Sequence, residues 1–202
     1  ILHNKLYATY IYGAAAFPDP LPTGDIDFHV ILKNFLTETE RSALTQFHKR
    51  LAEKFPPLGG ELDGYYILLK DATKNIPPQS EMWKKAIDTA WALHRQHILA
   101  GRYIHLYGPK PKEIYLSPTW AEIKTALLSE LDYIYKNLQK YPDYCTLNLC
   151  RIIYSFKTKD VVISKDKASI WALEYLFEWK KYIELARKSY MHMGSKEERL
   201  CM

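Results

Sequence analysis

Between residues 25 and 32 apolar and polar positions alternate: Ile26, Phe28, Val30 and Leu32 interleave with Asp25, Asp27 and His29. A period of two marks a strand with one polar and one buried face. It places Asp25 and Asp27 on the same face, side by side along the strand. Residues 7–12 are β-branched and aromatic and are broken by Gly13, which predicts an earlier strand. A loop holding Pro18, Pro20 and Pro22 joins the two. The period then lengthens. Leu44, Phe47, Leu51 and Phe55 recur at helical spacing behind Thr37, Glu40 completes a capping box, and Pro56-Pro57 stop the helix. "ELDGYYILLKDA" predicts another strand, "NIPPQSEMW" a turn into a short strand or helix start, and "GRYIHLYGP" a short final strand.

Past residue 117 the pattern is helical throughout. Thr119 and Glu122 suit a second capping box, and Ile123, Leu127, Leu131 and Ile134 follow on one face. Further helices are predicted near 144–156, 165–177 and 179–191. The chain therefore divides into a mixed half, residues 1–112, and an all-helical half, residues 113–202, an α+β protein without internal repeats. Trp171, Tyr175 and Trp179 stand at helical spacing and are expected in its core. Lys180-Lys181 and Arg187-Lys188 are expected on a solvated helix face.

Composition narrows the function classes. A chain of 202 residues with 48% hydrophobic and 25% charged residues is ordinary for a globular protein. The net charge of +5 suits a polyanion such as a nucleoside triphosphate, and with no low-complexity basic block nucleic acid is not expected as a partner. Cys145, Cys150 and Cys201 form no CxxC pair and are expected as reduced thiols, with no zinc site among them. No basic stretch leading into an apolar one opens the sequence, and no apolar run is long enough to span a bilayer. The expectation is a cytoplasmic monomer.

The paired aspartates ask for a cation. Two carboxylates on one strand face raise each other's pKa unless a positive charge neutralises them. Mg²⁺, which takes carboxylate and phosphate oxygens, is the usual solution. With a third acid from a neighbouring strand the layout suits metal-assisted phosphoryl or nucleotidyl transfer. D-x-D alone is equally compatible with a solvent-facing strand.

The surrounding residues add a resemblance. Gly13-Ala14, a proline-bearing loop and Asp25-Ile26-Asp27 resemble the G-S…D-x-D signature of the DNA polymerase β-like nucleotidyltransferase superfamily. "NIPPQSEMW" is similar to a segment of streptomycin and spectinomycin adenylyltransferases in which a proline stands four residues before the catalytic glutamate, here Pro77 and Glu81. "LNLCRIIYSFKTKDVVISKDKASIWALEYL" and "IELARKSY" resemble the C-terminal stretches of aminoglycoside nucleotidyltransferases of the 3''/9 type. The matches run in order over most of the chain.

That resemblance implies a nucleotidyltransferase-fold mixed sheet followed by a helical bundle, with substrate in a cleft between them. It also implies transfer of AMP from ATP, with Mg²⁺, to a hydroxyl of a small polycationic acceptor such as an aminoglycoside, releasing pyrophosphate. On it Asp25, Asp27 and Glu81 hold the metal, and Glu81 serves as general base. Gly13 and Ala14 approach the phosphates, Lys165 and Tyr190 meet the nucleotide, and Asp143 faces the substrate. Ala14 stands where the family has serine, and Gly24 where Ser or Asp precedes D-x-D. Glu61 and Asp63 are rivals to Glu81 as third acid. His29, His94 and His97 are given packing or surface roles, the spacing of His94 and His97 not being that of a metal pair. Two further readings stay open: an acceptor on a protein partner, as in antitoxins of this superfamily, and a degenerate nucleotide-binding module.

Overall fold

The computed structural model describes residues 1–18, 25–83 and 87–191; Pro20, Pro22, Gly24 and Cys201 lie outside them. The chain forms two compact units, residues 1–119 and 120–202.

The first unit is a four-stranded sheet in the order β3-β2-β1-β4, with β1 Leu6–Tyr12, β2 Ile26–Leu32, β3 Leu62–Leu68 and β4 Ile104–Tyr107. β1 runs antiparallel to both β2 and β4, whereas β2 and β3 are parallel. A parallel neighbour needs a crossover, which helix α1 (Glu38–Lys54) supplies. Its capping box forms as the sequence predicts: Glu40 N–H donates to Thr37 Oγ1 at 3.2 Å and Thr37 N–H to Glu40 Oε2 at 2.6 Å. Two short helices, α2 (Leu69–Ala72) and α3 (Trp91–Leu99), follow β3.

Both faces of the sheet are covered. Phe28, Val30, Leu32, Tyr66 and Leu68 pack with Leu36 and with Leu44 of α1. Tyr10, Tyr12, Ile31 and Ile67 pack with Trp91 and Ile98 of α3 and with Ile114 and Tyr115. The face of β2 expected to be polar is therefore buried beyond Asp27, and His29 and Ile31 are fully inaccessible. Of the apolar residues that announced α1, only Leu44 is buried, and Phe47 and Phe55 are exposed.

The second unit holds α4 (Trp120–Asn137), α5 (Pro142–Thr158), α6 (Lys165–Tyr175) and α7 (Lys180–Met191). Cys150, Ile163, Ala168, Ala172 and Ile183 form a core among the last three helices. Cys145 and Cys150 are buried free thiols. Trp171, expected in this core, is half-buried and stacks at 4.9 Å on Tyr175, which is exposed, as is Trp179. Arg187, expected on a solvated face, pairs with Asp166 at 2.8 Å and meets Ser169. No described helix is long and apolar enough to cross a membrane.

Candidate active site

Strand register builds the site. In the antiparallel pair Asp27 faces Tyr12, the last residue of β1; in the parallel pair it faces Asp63 near the start of β3. Asp25 lies two residues before Asp27, so three carboxylates from two strands converge, one oxygen of each within 4.8 Å of the others. Two glycines permit the approach. Gly13 opens a 3-10 turn at φ +69°, and a Cβ there would overlap the Asp27 carboxylate. Gly64, next to Asp63, lies so close to Phe28 that a Cβ would overlap its carbonyl oxygen. Glycine at residue 13 thus meets two demands: a left-handed backbone and room for a carboxylate.

The three acids are not equivalent. Burial, and then the neighbouring Asp25, push the Asp63 carboxyl above its ordinary value; His94 opposes this and Asp88 adds to it. Tyr12 is fully enclosed, and burial followed by Asp88, Asp27 and Asp63 raises its phenol well above the usual range. It is therefore a neutral wall to the site. An all-oxygen donor set of three carboxylates fits Mg²⁺.

Glu81 is not part of this group. Its Oε2 lies 3.7 Å from Arg41 Nη2 and accepts from Leu36 N–H at 3.4 Å, while its backbone N–H donates to Tyr66 carbonyl at 2.7 Å. Arg41 belongs to α1, and its Nε donates to the Glu81 carbonyl at 2.8 Å. These contacts hold Glu81 against α1, whose sheet face is the one opposite Asp27. The third acid that the structure brings to the aspartates is Asp63, and Glu61 is absent from the cluster.

Other sequence-predicted residues fall in the helical unit. Lys165 starts α6 behind its N-cap Ser164, donates to Tyr190 hydroxyl at 3.1 Å and lies 4.0 Å from the Tyr144 ring centroid. Asp143 is 2% exposed, accepting from Tyr144 N–H at 2.8 Å and Ser189 hydroxyl at 3.1 Å. It braces α5 against α7, which leaves little of it for a substrate. Ala14, in the turn after β1, is half-buried.

Sequence reasoning undervalued Asp63 and passed over Tyr12 and Asp88. A signal for Asp63 was present, since "DIDF" and "ELDG" each put an acid one residue past an aliphatic position. Only the in-register parallel pairing makes it decisive.

Known proteins resemble the chain in sequence and in fold. Residues 119–200 match the family model described as aminoglycoside adenylyltransferase, C-terminal domain. Spectinomycin 9-adenylyltransferase of Enterococcus faecalis is 22% identical over 211 residues, spanning 94% of this chain and 82% of that protein. The crystal structure of the Enterococcus spectinomycin adenyltransferase with ATP and spectinomycin superposes with a TM-score of 0.78 at 20% identity, covering 98% of this chain and 89% of that one. The helical half is thus similar to the C-terminal domain of aminoglycoside adenylyltransferases, and the chain as a whole shares the fold of the spectinomycin adenyltransferase.

Proposed function

We propose that the protein transfers the adenylyl group of ATP to a hydroxyl of an aminoglycoside-class antibiotic, with Mg²⁺ held by Asp25 and Asp27. The observation that carries this is the convergence of three carboxylates at one strand edge, against a glycine turn that leaves space beside Asp27. Bound there, the metal would neutralise charge on the triphosphate.

The chain's own groups do the rest. A sugar hydroxyl is a weak nucleophile at neutral pH, so a carboxylate within hydrogen-bond reach must take its proton. Asp63 suits that task, because burial and the neighbouring Asp25 raise its carboxyl above the ordinary value and so make it a better proton acceptor. The freed oxygen bonds to the α-phosphorus as the bond to the bridging oxygen breaks, and pyrophosphate departs with the electron pair. Lys165, held by Tyr190 and Tyr144, supplies positive charge to the nucleotide phosphates. Gly13 and Ala14 let backbone N–H groups approach the same phosphates. Ala14 has no hydroxyl to offer, so the backbone carries that contact.

Pyrophosphate release from ATP and Mg²⁺ in the presence of spectinomycin, streptomycin and related compounds tests this. Release that requires one acceptor and disappears in Asp27→Asn supports the reading. Nucleotide binding without release on any acceptor would point instead to a protein acceptor, and absence of nucleotide binding to a degenerate module.

A further inference from the structure

Two residues beyond Asp27 on the same face of β2, His29 belongs to a second group of ligating side chains. One ligand atom each from His29, Asp88 and His94 lies within 4.8 Å of the others. Asp88 Oδ2 is 2.9 Å from His94 Nδ1 and 3.9 Å from His29 Nε2. His29 and Asp88 are 0% and 1% exposed, while His94 is partly open to solvent.

The orientation of His29 is the telling feature. Its Nδ1 lies 3.0 Å from the buried Tyr115 hydroxyl, so that nitrogen is occupied. Its Nε2 faces Asp88, is fully buried, and has no hydrogen-bond partner. At 3.9 Å the gap to the carboxylate is too long for a hydrogen bond. Ligand atoms around a tetrahedral zinc-type ion, each about 2.0–2.1 Å from it, stand about 3.3 Å apart. The two separations, 2.9 and 3.9 Å, bracket that value. A ligating histidine donates its far N–H to an oxygen acceptor that fixes the ring, a place the Tyr115 hydroxyl oxygen fills for His29. Asp88 is fixed likewise, its Oδ1 accepting from Ala90 N–H at 3.1 Å.

We propose that His29, Asp88 and His94 form a binding site for a divalent ion of the zinc class, separate from the magnesium-type carboxylate group. Two imidazoles and one carboxylate select zinc or a similar transition ion over magnesium, which prefers oxygen alone. The ion would tie β2 to the start of α3 beneath Tyr12, whose ring packs at 4.5 Å on His29 and 4.8 Å on His94. The fourth position is left to water or to the Tyr12 hydroxyl, which already lies 3.1 Å from His94 Nδ1.

Cobalt(II) binding to the chelator-treated full chain provides the test, in an Asp25→Asn/Asp27→Asn background that removes the oxygen site. The expected result is one cobalt per chain, with visible absorption of the intensity given by four- or five-coordinate centres, displaced by zinc. Adding His94→Gln or Asp88→Asn should weaken binding at least 10–100-fold and abolish the bands. Zinc should also raise the melting temperature of the His94-containing protein and not that of His94→Gln, with circular dichroism confirming that both are folded. Absence of bound cobalt in the double variant, or bands that survive both added substitutions, would overturn the proposal and leave a hydrated hydrogen-bonded cluster.

Discussion

Replacing Asp63 and Glu81 in parallel separates the acid at the site from the acid at α1. Asp63→Asn keeps the side-chain shape and removes the base next to Asp25 and Asp27. General-base catalysis contributes about 10²–10⁴-fold, so the turnover number should fall by that factor, about 3–5 kcal/mol in barrier height. Folding should not suffer, because burial and Asp25 already disfavour the charged form of Asp63. The melting temperature of Asp63→Asn should therefore hold or rise. Glu81→Gln loses an ion pair of 3.7 Å between side chains that are each 15% exposed. A single pair at that separation is worth up to about 1 kcal/mol, a loss of at most about 2–4 °C in a chain of this size. Its turnover should stay within a few-fold of wild type. Steady-state pyrophosphate release and thermal melts on the same preparations read both quantities. If Glu81→Gln loses as much turnover as Asp63→Asn, the assignment of the third acid is wrong.

Three further outcomes follow from the same geometry. Gly13→Ala forces an L residue to φ +69° at about 1–2 kcal/mol and pushes on Asp27; displacement of a reacting group by about 1 Å costs on the order of 10²-fold, so activity should fall well before folding does. Thr37→Ala removes the hydroxyl that accepts from Glu40 N–H and should cost about 1 kcal/mol of stability in denaturant titration, with turnover unchanged. The Glu40 carboxyl is held down to about 2, chiefly by its hydrogen bond from Lys5 and then by that from the Thr37 backbone; NMR titration should find it there, and its contribution to stability, present above the ordinary glutamate range, should be lost as pH falls towards 2 and be smaller in Lys5→Met, where the Thr37 hydrogen bonds remain.

What could be read in the sequence was local. Thr37 and Glu40 marked the start of α1, alternation marked β2, and Gly13 marked the end of β1, because each signal lies within a few residues of what it specifies. The third acid was not local: Asp63 joins Asp27 only through the register of two parallel strands 36 residues apart in number. A proline–glutamate spacing in "NIPPQSEMW" pointed to Glu81, but the backbone there bonds to Tyr66 and Arg41 and turns the glutamate towards α1. The burial of His29 was hidden for a related reason. Alternation cannot tell a solvated polar face from one covered by a later helix, and α3 begins 62 residues after His29. Tyr175 and Trp179 misled in the opposite direction: Trp171 does pack against the helical core, but Tyr175 stacks on it from the exposed side and Trp179 is exposed.

Mass spectrometry of spectinomycin recovered after incubation with the protein, ATP and Mg²⁺ tests the central claim most directly. The account predicts acceptor carrying one adenylyl group, formed by the wild-type chain and by Glu81→Gln, and missing with Asp27→Asn and Asp63→Asn. Unmodified acceptor across a panel of aminoglycoside-class compounds, from a folded protein that binds Mg-ATP, would contradict it.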